Sequence, residues 1–83
     1  GNNNLATGDT ATIPGGNGNT ASGDYSFVAG GTNNIAGGDY SFVAGSYMQL
    51  SAAADRSFAF GYSVTPVAIT QPDSFIIYNS DLG

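Results

Sequence analysis

Eighty-three residues with a formal net charge of −5 and 8% charged side chains allow one small domain of unusual composition. Six Asp stand beside a lone Arg, with no Lys, Glu, His or Cys. That set excludes disulfides, thiolate or imidazole metal sites and a histidine base, and it argues against nucleic acid and anionic membrane as partners.

At 41% hydrophobic with ten Tyr and Phe, the chain is too apolar for disorder. No apolar run approaches the ~20 residues of a membrane-spanning helix. Abundant Gly, Ser, Thr and Asn without Lys or Glu fit a secreted repeat protein. Gly1 falls at the first position of a repeat, as expected of a piece of a longer array.

In chain order the sequence divides into coils. Coil one is residues 1–15, coil two 16–30, coil three 31–45 and coil four 46–61. Coils two and three share Gly-Asp-Tyr-Ser-Phe-Val-Ala-Gly, at positions 23–30 and 38–45. A strand repeated at so short a period predicts a coil that stacks on itself. Asn3, Gly18 and Asn33 form one column, and Gly8, Gly23 and Gly38 another. Both are expected as corners, held by residues that tolerate positive φ. Corners without hairpins keep the chain turning one way, so equivalent strands pair in parallel about 4.8 Å apart.

Two strands per coil are predicted. The short one carries the column Leu5, Thr20, Ile35, Leu50, followed by Ala6, Ala21, Ala36, Ser51. The long one carries Tyr25, Phe27 and Ala29 on one face, with Ser26 and Val28 on the other. Phe27, Phe42 and Phe58 make a large apolar column, and Val28, Val43 and Ala59 a smaller one. Strands apolar on both faces are covered on both. One face fills the coil; the other is expected to meet another copy of the chain. Tyr25, Val28, Tyr40, Val43 and Phe60 join the Phe column as expected packing residues of core or interface.

Coil one is weaker, with Thr10, Thr12 and Pro14 in its strand. Coil four is expected to cap the stack, with one extra residue in the Ala52-Ala53-Ala54 run. Residues 62–83 are expected to leave the repeat as a short β tail that caps, links or docks. Strands are predicted at 64–69 and 74–78, and Phe75, Ile76, Ile77 and Tyr78 form a candidate assembly strand.

Ser-Phe-Val-Ala-Gly at 26–30 and 41–45, and Ser-Phe-Ala-Phe-Gly at 57–61, resemble the head repeats of YadA-type trimeric autotransporter adhesins. The Asn-rich corners are similar to variants in phage-type tail fibres and large bacterial surface proteins. The resemblance implies a left-handed parallel β-roll, an obligate homotrimer, an extracellular location and an adhesive or fibre-building role. Phe27 and Phe42 are larger than the usual Val of that family. No coiled-coil stalk, neck or membrane anchor stands in these residues.

Asp9, Asp24, Asp39 and Asp55 form a column of like charges, repulsive unless relieved. Ca²⁺ bridging their carboxylates and corner carbonyls is one reading; solvated corner Asp residues accepting backbone hydrogen bonds is the other. The Ser26, Ser41, Ser57 column has no base partner, so nucleophilic catalysis is not expected. Arg56 is expected to pair with an Asp of coil three or of a neighbouring chain.

The reading is an all-β homotrimeric β-roll of 15-residue coils with a β tail, not an enzyme and needing no cofactor. Its expected work is structural and adhesive, by multivalent display toward a host surface protein, matrix protein or glycan. A self-assembling extracellular filament subunit and a receptor-binding tail-fibre module are the alternatives.

Overall fold

Corner residues set where the chain bends. Asn3, Gly18 and Asn33 stand in left-handed backbone at φ 57°, 68° and 54°. A second left-handed column holds Thr10, Tyr25, Tyr40, Arg56 and Asp73, all between 55° and 58°. Between these bends lie short extended stretches that pair with the same stretch one turn on. The result, seen in a computed structural model that describes residues 1–78, is an all-parallel β-solenoid of about five turns.

Seven strands form among the described residues: β1 Leu5–Ala6, β2 Thr20–Ala21, β3 Phe27–Thr32, β4 Ile35–Ala36, β5 Phe42–Leu50, β6 Phe58–Ile69 and β7 Phe75–Tyr78. Every pairing is parallel. On one side of the coil run β1, β2, β4 and the second halves of β5 and β6. On the other run β3, the first halves of β5 and β6, and β7. No helix forms among these residues.

The turn length drifts from the expected 15 residues to an average near 16. Phe27 pairs with Phe42, Phe42 with Phe58 and Phe58 with Phe75, at separations of 15, 16 and 17. The register corrects the expected short-strand column in coil four. Ile35 pairs with Gln49 and Ala36 with Leu50, so Leu50 belongs with the Ala residues. A register shift between Val28 and Gly30 removes one residue, and the turn after Leu50 restores two. One residue of slip exchanges the faces of a strand. Leu50 therefore points inward and is fully buried, while Leu5 is exposed.

Coil four does not cap the stack. β6 runs on through Ile69, and Phe75–Tyr78 pairs in register with Phe58–Gly61. Residues 62–78 thus make a fifth turn. The predicted strand at 64–69 is the end of β6, and that at 74–78 is β7. Positions 79–83 of the expected tail lie outside the described residues.

The interior is narrow. Ala21, Val28, Ala36, Val43, Met48, Leu50, Ala54, Ala59 and Ile69 form the core. Val28 and Val43 are fully buried, each burial contributing about 1.5–3 kcal/mol. Ala11 and Ile13 pack on this core at one end, Val67 and Ile76 at the other. Coil one is held loosely where the sequence marks it as weak. Thr12 N–H donates to Ser26 O, and Thr12 bridges Phe27. Two residues on, Pro14 has no N–H for the next bond.

Candidate interaction surface

Alternation along the long strand divides its side chains by size. Ser26, Val28, Ser41, Val43, Ser57 and Ala59 face inward and are buried. Phe27, Phe42 and Phe58 face outward and are half-buried, and Phe75 continues the column at 71% exposure. Parallel registry sets the rings on one another, with centroids 5.3, 4.8 and 4.7 Å apart and planes within 10°. Tyr25 and Tyr40 stack alongside at 5.1 Å. They are 54% and 64% exposed, so they are not core residues of the protomer. Phe60 is also exposed, as is Phe75 of the candidate assembly strand; Ile76 and Ile77 are half-buried and Tyr78 exposed. An open groove runs along these columns, lined by Tyr40, Phe42, Arg56, Phe58, Asp73 and Phe75.

Arg56 and Asp73 follow Tyr25 and Tyr40 in the same left-handed column. Arg56 pairs with Asp73 in the turn above, not with coil three. Arg56 Nε donates to Asp73 Oδ1 at 2.6 Å and an η nitrogen to Oδ2 at 3.1 Å. These bonds hold the Asp73 carboxyl below the usual Asp range and raise the guanidinium pKa.

The Asp column is hydrogen-bonded to the backbone. Asp24 Oδ1 accepts the Asp9 N–H, Asp39 Oδ1 that of Asp24 and Asp55 Oδ1 that of Asp39, at 2.9–3.0 Å. Each carboxylate caps the corner of the coil below it. No cluster of three or more metal-ligating side chains forms among the described residues. Ser26 and Ser41 Oγ donate to Gly23 and Gly38 O at 2.6 Å, closing the same corners from inside.

Gly8, Gly23 and Gly38 are at corners, yet none has positive φ. Their requirement for glycine is steric. A Cβ on any of them would overlap the carbonyl oxygen of Gly23, Gly38 or Ala54 in the next coil. The left-handed residue sits two positions later, where coils two and three place Tyr.

A second polar ladder, regular in its sequence spacing, lies inside the coil. Asn4, Asn19 and Asn34 recur at one column, and Asn19 and Asn34 are fully buried. Each Oδ1 accepts the backbone N–H of the residue above: Asn19 on Asn4, Asn34 on Asn19, Met48 on Asn34. Asn34 Nδ2 donates to Gly30 O and Gly45 O, tying two coils together. No buried side-chain polar atom among the described residues is left without a partner.

No family model, curated protein or solved structure matches this chain.

Proposed function

We propose that this chain is a structural and adhesive module of an extracellular fibre. Three copies of a left-handed roll pack through the outward aromatic columns, and stiff trimers display their remaining surface to a host protein, matrix protein or glycan. The observation that supports this reading is the size reversal across the long strand. Its small residues fill the coil, and its large apolar ones, Phe27, Phe42, Phe58 and Phe75, face out. A contiguous exposed apolar surface of this kind marks an interaction site. Six of the ten Tyr and Phe side chains are exposed, and the repeated register sets Phe27, Phe42, Phe58 and Phe75 in one strip along four coils. Repetition suits recognition by many weak contacts, whose combined affinity exceeds any one of them.

Size-exclusion chromatography with light scattering tests the assembly. The expected mass is three times the protomer, and Phe42→Asp is expected to give a monomer whose circular dichroism remains that of a β-protein. A compact wild-type monomer at micromolar concentration would sink the proposal. Long polymers would move it to the filament reading.

A further inference from the structure

Stacking one coil on another imposes glycine at two places in the lower coil. The first column is Gly8, Gly23 and Gly38, as described above. The second is Gly16, Gly31 and Gly45, where a Cβ would overlap Gly31 O, Gly45 O and Gly61 O in turn. A Cβ on Gly61 would run into Tyr78. The Asp column adds a third requirement. The backbone N–H of Asp9, Asp24 and Asp39 donates upward to a carboxylate in the next coil.

Coil five fails all three. Tyr78 stands above Gly61 in the second glycine column, through the pairing of β6 with β7. Gln71 stands in the first, as Ser74 Oγ donating to Gln71 O repeats the Ser26–Gly23 and Ser41–Gly38 bonds. Pro72, next to it, occupies the Asp column and has no N–H to donate. Ala54 already departs once from the first column. There the next turn is lengthened, and its corner is rebuilt with Ser57 Oγ donating to Gln71 O.

Coil one makes the opposite offer. Asp9 Oδ1 has no donor beneath it among the described residues, whereas its counterparts on Asp24, Asp39 and Asp55 each accept one. The core is only partly covered at both ends, by Ala11 and Ile13 here and by Val67 and Ile76 at the other, so what separates the ends is the backbone and glycine fit.

We infer that the two ends of the solenoid differ in kind: coil five terminates the stack, and the coil-one face takes one further coil. The occupant that fits this face is a coil of the same repeat, with glycine in both columns and a backbone N–H beneath Asp9. The coil-five end of a second copy does not fit it, because Gln71, Pro72 and Tyr78 would then form the lower member of the seam.

Duplicating one coil at each end tests it. One variant carries a second copy of residues 16–30 before Gly1; another carries a copy of residues 17–31 between positions 78 and 79, the frame that sets the inserted Gly31 over Tyr78. The first is expected to raise the melting temperature by at least about 4 °C, the smallest shift that about 1 kcal/mol of added stability gives in a domain this size. The second is expected to leave it unchanged or lower, with the insert cut first in limited proteolysis. Adding Gln71→Gly, Pro72→Asp and Tyr78→Gly to the second is expected to recover the rise, measured against the same triple variant without an insert. Equal rises at both ends, no rise at the first end, or no recovery in the triple variant would overturn the inference.

Discussion

Asn34→Ala is the substitution that most directly tests what holds the coils together. Asn34 is fully buried, and its side chain serves three backbone groups: Met48 N–H at 2.9 Å, Gly45 O at 2.8 Å and Gly30 O at 3.0 Å. Alanine removes every one of these partners. A buried polar group left unpaired costs about 1–3 kcal/mol. Met48 is fully buried, so its N–H bears that cost in full, and the carbonyls of the half-buried Gly30 and Gly45 add part of theirs. The expected loss is about 3–5 kcal/mol, against a total stability of about 5–15 kcal/mol for a domain. Asn4 is the control. It is only half-buried and serves one carbonyl, Gly16 O, besides the N–H of the buried Asn19, so Asn4→Ala is expected to cost less, about 1–3 kcal/mol. Urea denaturation followed by circular dichroism, at one protomer concentration, measures both. Equal losses for the two would refute the claim that burial of the ladder sets its worth. Asn34→Asp refines the test. Its carboxylate still accepts from Met48 but turns an oxygen toward two carbonyls, which raises its folded pKa. Stability of that variant is therefore greatest below the unfolded Asp pKa of about 3.9 and declines as pH rises through the folded value.

The remaining predictions concern glycine and charge. Gly23→Ala is expected to cost about 1–3 kcal/mol, since its Cβ would meet Gly38 O, whereas Gly15→Ala, with nothing within 4 Å, should stay within about 0.5 kcal/mol. Thermal melts of the two variants check this, and matching losses would remove the steric reading of the column. Asp73→Asn should weaken the fifth turn slightly at neutral pH. The folded pKa of Asp73 is lowered by Arg56, so its contribution is present above the ordinary Asp pKa and lost as pH falls through the lowered value. Wild type and Asp73→Asn should converge in acid, and also in high salt because the pair is exposed.

The repeat and its parallel pairing were legible because identical residues recur at a fixed spacing with β-formers between Gly and Asn. Phe27, Phe42 and Phe58 fell into one column for that reason. Leu50 was misassigned because insertions are invisible to a column alignment unless they change the total. A loss of one residue near Gly30 and a gain of two after Leu50 looked like a single insertion. The fifth turn was hidden by composition. Its corner holds Gln71, Pro72 and Asp73 where coils two and three hold Gly-Asp-Tyr, and its strand keeps only Ser74 and Phe75 of the motif. Glycine at Gly8, Gly23 and Gly38 is expected from left-handed corners but is required by the carbonyl above. Composition cannot separate a glycine demanded by φ from one demanded by an overlying carbonyl. The Asn4, Asn19, Asn34 column was equally periodic, but Asn is so common in turns that its burial does not show in sequence.

The placement of Phe and Val follows from the dimensions of the coil. Opposed sheets pack about 10 Å apart, and Val, Ala, Met and Leu fill this interior without room for a ring at every turn. The outer face has no such limit, but it has a fixed period. In-register strands place equal side chains about 4.8 Å apart, so the Phe rings cover each other's faces and little else. Phe58 shows how far this goes: with Phe42 on one face and Phe75 on the other, it is still only half-buried. More coils would lengthen the column without covering its edges. In the proposed trimer the cover would lie across the column from outside. A strip of the same length and period does so best, and another copy of the same solenoid carries one.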